Sequence, residues 1–462
     1  MLEINPRDLK LFVVKETTSG TLAFPAQANA LRVAAYPELT EQVSYSDSEE
    51  IRNSLNLADR TQDKKAAGTL KLKILARLDG VGTNLIKPPM GDVLFQALMG
   101  KKAAFSALVG VGGVSSGDVS IPFDTLSGDW PPSRGVLHLS DGLNDELVYY
   151  SGLTQTDATS GSFTGCVRGY AGSTAAAFLA TDAVALANPA YIQQMGRPTF
   201  SVWYQMGEVI WFARGCTVST LALSLANKGN PTFDLDGGFM ERGRAGKATL
   251  NGAVTASTVL TLAAGEAKRF TLGARIQNVT AADTNAGAGY EVVAVDTLNH
   301  QITLASAVTW ANGAVIQGYL PAHLDMGAEL KSADSMVQLD AVEAVPTGGN
   351  INISAPIRYL DEEISPNPPT DFVEQRRDIK ASLESVFKTA DLELIHDAEE
   401  GTTRAFGLRL GDGTAGMTLW VDLPKCHLQI PPTQVADEVV KKTLELTALD
   451  SDVERSAFIS IV

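Results

Sequence analysis

Two stretches far apart in the chain alternate apolar and polar residues with a period of two. In one, Ile379, Ala381, Leu383, Ser385 and Phe387 alternate with Asp378, Lys380, Ser382 and Glu384. In the other, Leu70, Leu72, Ile74, Ala76 and Leu78 alternate with Thr69, Lys71, Lys73 and Arg77. Successive side chains of a strand point to opposite faces, so each stretch predicts a β-strand with one oily and one wet side. A third strand, Val440 to Leu449, sets Leu444, Leu446 and Ala448 against Lys441, Thr443, Glu445 and Thr447. Gly411-Asp412-Gly413, between Phe406-x-Leu408-x-Leu410 and Met417-x-Leu419-x-Val421, predicts a hairpin. Pro424 is expected to end the second arm, because proline cannot donate to a ladder. The core residues this pattern selects are Leu70, Leu72, Ile74, Ile379, Leu383, Phe387, Leu444 and Leu446.

Two short helices fit the remaining periodicity. Asp92 to Met99 carries Val93, Leu94, Ala97 and Leu98 on one stripe, with Asp92 as cap and Gly100-Lys101-Lys102 closing it. Thr389 to Glu399 has Thr389 as N-cap and a stripe of Leu392, Ile395 and Ala398 that can cover the oily side of the sheet.

Along the chain the style changes four times. Residues 1–100 hold strand-like runs at Leu9 to Val14, Leu31 to Ala35, Ile51 to Leu57 and Thr69 to Leu78. Residues 101–190 are rich in Gly, Ser, Thr and Asp and read as a small β-module, with Glu146-Leu-Val-Tyr-Tyr and Arg168-Gly-Tyr-Ala-Gly-Ser173 as its marks. Residues 191–250 return to longer strands. Residues 251–320 form a second small β-module of short, regularly spaced strands, with Asn299-His300 at a hairpin turn. From 321 to 462 the first style resumes. One β-rich core interrupted by two modules accounts for this. Insertions land in exposed loops, so both modules are expected to project and 251–320 to be removable.

Charge and candidate chemistry narrow the function. The net charge of -16 leaves no general basic surface with which to grip phosphates. Cys166, Cys216 and Cys426 are odd in number and far apart, which fits folding in a reducing cytoplasm rather than a disulfide framework. The start, Met1-Leu2-Glu3-Ile4-Asn5-Pro6, has no signal-peptide pattern, and no apolar run is long enough to span a membrane. His138, His300, His323, His396 and His427 have no i,i+4 partner and no nearby Cys, so no metal site is expected. Gly113-Val-Ser115-Ser-Gly117 spells a nucleophile motif, but the motif needs a strand before the serine and a helix after it, and here a loop is expected. The acidic pairs Glu49-Glu50, Glu362-Glu363 and Glu399-Glu400 point to different faces and read as solvated. Asp361-Glu-Glu-Ile-Ser-Pro-Asn-Pro-Pro reads as an acidic, proline-stiffened arm. No catalytic constellation and no cofactor site emerges.

The order of motifs resembles a known family. It runs Glu50-x-Arg52, Ser54-Leu-Asn-Leu-Ala-Asp59, Ala67-Gly68-x-Leu70-x-Leu72, the helix near Asp92, Gly215-Cys216-Thr-Val-Ser-Thr-Leu, and the closing block Arg377-x-Ile379 through Leu423-Pro424 to Leu444-x-Leu446-x-Ala448-Leu449. Over roughly 1–100, 191–250 and 355–462 this is similar to the tail tube proteins of long-tailed bacteriophages. The first module is similar to small β-modules of phage structural proteins.

The resemblance implies a mainly β fold: a β-sandwich core with a flanking short α-helix, interrupted by two small β-domains and forming an intersubunit β-barrel in a hexameric ring. Stacked rings would make a hollow tube in the virion tail, built in the host cytoplasm and passing double-stranded DNA without sequence-specific contacts. Further partners implied are the tail-tip initiator, the tape measure and the tail terminator. The wall residues facing the lumen would be Lys71, Lys73, Lys380, Ser382, Glu384, Lys441, Thr443 and Glu445. With four lysines among them, these strands alone do not make an acidic bore. Either the acid comes from loops at the ring rims, or some of these faces are not luminal. Two other readings stand beside this one: a tail decoration or receptor-binding protein, and a β-rich hydrolase, for which no carboxylate pair stands out.

Overall fold

The computed structural model describes residues 9–41, 43, 45–48, 60–62, 65–226, 229–324, 327–331, 335–340, 342–361, 368–388, 392–430, 433–436, 439–450 and 456–462. The expected strand at Ile51 to Leu57, the motifs from Glu50 to Asp59, Thr389 and residues 362–367 of the acidic arm lie outside the described residues.

The period-two stretches join one antiparallel sheet. Its order is Glu38–Thr40, Gly68–Leu75, Thr232–Phe239, the second half of Val209–Ala226, Pro346–Ser354, Asp378–Val386, Val439–Ala448 and Thr433–Ala436. Register places Ile74, Phe233, Leu223, Ile351, Ala381 and Leu446 side by side in one row across six strands. All six are buried. At about 1.5–3 kcal/mol for each large apolar side chain, this face is a principal source of stability.

The oily face is covered by a second layer: Met336–Leu339, Thr403–Leu410, Leu419–Leu428, Phe458–Ile461, Ala190–Gln193 and Gly100–Lys102. Helix α1 (Asp92–Met99) packs with it, Phe95 stacking on Tyr191 and meeting Phe233 edge-on, both at 5.3 Å. The fold is thus mainly β with two short α-helices among the described residues.

Several local expectations are corrected. Asp92 is not the cap of α1. Gly91, at φ 79°, holds that position, and Asp92 in the first turn accepts from Gln96 Nε2 (2.6 Å) and the Tyr191 hydroxyl. Pro424 does not end its strand. Leu419–Leu428 runs through it, and two residues there, Pro424 and Lys425, oppose one on the partner strand. Such a bulge is where a ladder tolerates proline. It also redirects the strand, whose pairing passes from Phe458–Ile461 to Val439–Ala448. Phe387 lies one residue past its strand and is only half-buried. The buried face ends instead on the pair Ser385 and Lys442, both buried. Helix α2 (Leu392–Glu400) buries no residue fully. Leu394 and Ala398, one turn apart, touch the core, while Leu392 is 56% exposed.

Val209–Ala226 carries the chain around a corner. Its first half pairs with Phe200–Met206 and Glu241–Ala245, and its second half enters the long sheet. Gly215 makes the turn at φ 62°, where a Cβ would collide with the Met240 side chain. Buried Glu16 pins the corner. It accepts from the backbone N–H of Gly20 and Gly215 (both 2.8 Å) and the hydroxyls of Thr199 (2.6 Å) and Ser201 (2.7 Å).

Between Gly100–Lys102 and Ala190–Gln193 the chain forms a seven-stranded sheet running from Phe105 to Leu186. Between Glu241–Ala245 and Met336–Leu339 it forms a six-stranded sheet from Lys247 to Gly318. In each, two strands adjacent in sequence lie at opposite edges, so the sheet curls toward closure.

Candidate functional site

The eight sequence-selected polar residues share one face of the long sheet. Lys71 and Lys73 stand on Gly68–Leu75, Lys380, Ser382 and Glu384 on Asp378–Val386, and Lys441, Thr443 and Glu445 on Val439–Ala448. The last two strands are neighbours: Ser382 faces Glu445 and Glu384 faces Thr443. Three strands separate them from the lysines of the first. One row reads Lys73, Asp234, Ala222, Asn352, Lys380, Thr447. This row is the polar counterpart of the buried row beginning at Ile74, one residue along each strand.

Of the three intervening strands, sequence reasoning placed Thr217 to Leu225 and missed Thr232–Phe239 and Pro346–Ser354. Thr232–Phe239 brings Asp234 and Asp236 directly opposite Lys73 and Lys71, and Glu38 lies opposite Lys71 on the other side. Lys73 Nζ is 3.1 Å from Asp234, and Lys380 Nζ is 2.8 Å from Asp378. With Glu384 and Glu445, the face carries six carboxylates beside its four lysines. Glu38, Asp234 and Asp236 come from the strands on either side of Lys71 and Lys73, and Asp378, Glu384 and Glu445 from the strands that carry Lys380 and Lys441. The signal was present: Phe233 and Leu235 alternate with Asp234 and Asp236. Between the charged residues stand Thr220, Ala222, Ser224, Asn350, Asn352 and Ser354, so the face is mostly hydrophilic and its opposite charges nearly balance.

No chemistry gathers elsewhere among the described residues. No group of three or more His, Cys, Asp or Glu could hold a metal ion. His396 has an i,i+4 neighbour after all, Glu400 at 3.4 Å, in an exposed pair on α2. Ser115 sits between turns, its N–H donating to Asp118 Oδ2 (2.6 Å), not at a strand-to-helix elbow. Burial pushes the Cys166 thiol up to about 11 and Cys426 up to about 12, so neither is a ready nucleophile. The motif residues Glu146 and Arg168 make a structural knot. Buried Glu146 accepts from Arg168 Nε (2.8 Å) and Nη2 (2.7 Å) and from the N–H groups of Gly169 (2.8 Å) and Ala176 (3.0 Å). Among the described residues no helix is long and apolar enough to cross a membrane.

A broad polar sheet face backed by a packed core has the form of a wall. The chain belongs to the phage tail tube protein family, whose model matches residues 6–315, well over half of its length. It is therefore a structural, non-enzymatic component of the virion tail, of a family that self-assembles. The match covers the seven-stranded sheet and ends at the last strand of the six-stranded one, so the closing block lies beyond it. No curated protein matches the chain.

Proposed function

We propose that this chain assembles as hexameric rings that stack into the hollow tail tube, with the polar face of the long sheet turned to the bore through which double-stranded DNA passes. The observation that carries this reading is the face itself. It is continuous over the sheet's strands, its opposite charges nearly balance, and Lys71, Lys73 and Lys380 stand beside carboxylates. Phosphate binding rests on cations free to neutralise phosphates and so release the counterions condensed on the duplex. Lys73 and Lys380 are instead ion-paired, and Lys71 is flanked by Glu38 and Asp236. A duplex would meet a wetted wall with little grip.

The ends of the sheet support assembly. Glu38–Thr40 and Thr433–Ala436 each pair on one side only among the described residues. Unpaired edges invite another chain, and a ring of copies would close them into one barrel. A repeating ring-to-ring contact would then give an open filament. Its length would be set by the tape measure and terminator, and its start by the tail tip. In this reading 1–100, 191–250 and 321–462 form the tube core, and 101–190 and 251–320 are modules outside the bore.

Electron microscopy of the purified protein at low and high concentration tests the proposal. Hollow tubes or stacked rings with a bore wide enough for duplex DNA are expected. Compact monomers at every concentration, even with tail-tip extract added, would overturn it in favour of a decoration or receptor-binding role.

A further inference from the structure

The seat of the seven-stranded sheet on the rest of the molecule contains a charge pair, half-buried Arg134 and buried Asp422, that the tube reading does not use. Arg134, at the entry to Gly135–Ser140, places Nε 3.0 Å from Asp422 Oδ1. Its Nη1 donates to Gln338 Oε1 (2.8 Å), and its guanidinium lies 4.4 Å from the centre of the Trp420 ring. Gly407 faces Asp422 across the strand pair, where a Cβ would come within 3.2 Å of Asp422 Oδ1 and 3.3 Å of Arg134 Nη2. Asp422 is 4% exposed, and its Oδ2 is buried with no hydrogen-bond partner among the described residues. Around the pair, Val136, Leu147 and Ala187 join the main core.

We propose that this seam is a proton-linked latch: the seven-stranded sheet seats more tightly when Asp422 holds a proton and loosens as that carboxyl ionises. The geometry gives the reason. A carboxylate here has one cation, one orphaned oxygen and no water-facing side, and the neutral acid costs far less to bury than the charged one. The ionisable groups around it are Arg134, Tyr149 and Tyr150 from the seven-stranded sheet, and Arg409 beside Tyr149 from Thr403–Leu410. Phe458–Ile461, paired on the other side, brings none.

Burial pushes Asp422 up to about 6 against the pull of Arg134. Unseated and solvated, it would return to its ordinary value of 3.8. The seated form therefore binds a proton over the range between these values. Seating strengthens as pH falls through 6, and that gain is absent above it. Linkage makes the change on the order of tenfold in the seating equilibrium between pH 7.5 and 5.

Hydrogen exchange of the full-length subunit, converted to protection factors for peptides spanning 134–150, reads the latch without assembly. Protection in the unaltered protein is expected to fall roughly tenfold as pH rises through 6, and in Asp422→Asn to stay level. A level profile in the unaltered protein, or the same slope in Asp422→Asn, would overturn the latch. Arg134→Met removes the opposing cation and is expected to move the transition to higher pH. An unmoved or lowered transition would equally overturn it. Since the readout needs no tube, a failed assembly experiment leaves it intact, and the reverse holds as well.

Discussion

The two small sheets look alike in sequence, both built of short strands with turn residues between them, yet they hold to the molecule differently. The seven-stranded sheet has a core of its own. Phe105, Phe123, Tyr150 and Phe163 pack with Leu137, Leu139, Val148 and Val184, all from within 105–186. It touches the body through a narrow seat. The six-stranded sheet has no separate core. Leu260, Ile276, Ile302, Trp310 and Ile316 form one cluster with Phe12, Ala30, Trp203, Ile210 and Phe212 of the main strands. Residues that pack on their neighbour's core cannot leave without exposing it. Projection from a loop and independence of folding are therefore separate properties, and only the second decides whether a segment can be removed.

The largest expected effect breaks the comparison outright. The sequence pattern suggested that 251–320 can be replaced by a short Gly/Ser bridge with ring formation intact. The shared cluster predicts otherwise: Phe12, Trp203, Ile210 and Phe212 would lose their cover. At about 1.5–3 kcal/mol each, that loss rivals the roughly 5–15 kcal/mol stability of a whole domain. Deleting 251–320 should give insoluble or molten protein, whereas replacing 105–186 by the same bridge should leave a soluble subunit. Soluble yield and circular-dichroism melting decide between them. A cooperative melt near the normal temperature for the 251–320 deletion would remove the distinction drawn here.

That outcome bears on what the chain discloses by its sequence. Local rules placed much of the fold. The span of α1 from Asp92 to Met99 was legible from its apolar stripe and the closing Gly100, although the cap is Gly91 and not Asp92. The Gly411-Asp412-Gly413 hairpin and the alternation along Gly68–Leu75 followed from turn chemistry and period two. Strand order was not legible, because partners such as Lys73 and Asp234 lie 161 residues apart. The candidate face was therefore half-read: its lysines were found, and the carboxylates beside them were not. Nor does periodicity disclose whether a small sheet keeps its own core, since Trp203 and Trp310 share a cluster only after folding.

Single substitutions sharpen the same contrast. Trp310→Ala opens a cavity in the shared cluster and costs about 3–5 kcal/mol. It should lower the main transition in calorimetry, with no separate peak. Glu146→Ala strands the buried Arg168 guanidinium and two backbone N–H groups, at a comparable cost of about 3–5 kcal/mol. Because those contacts are confined to the seven-stranded sheet, a new low-temperature transition should split from an almost unmoved main one. A uniform shift in both variants would mean that the whole chain melts as one unit.

The smallest effect is a difference in rate, and the cysteines happen to be placed to report it. Cys166 lies in the seven-stranded sheet, whereas Cys216 and Cys426 lie in the body; all three are buried. Burial raises all three thiols, so each is inert to alkylation at pH 8 until its surroundings open. A region with its own core and a narrow seat can open sub-globally, below the free energy of global unfolding. In mild denaturant, well short of the main transition, mass spectrometry should find Cys166 alkylated first. Cys216 and Cys426 should follow together. Simultaneous labelling of all three would place the seven-stranded sheet in the same cooperative unit as the body. The difference between the two sheets would then be one of surface contact, not of stability.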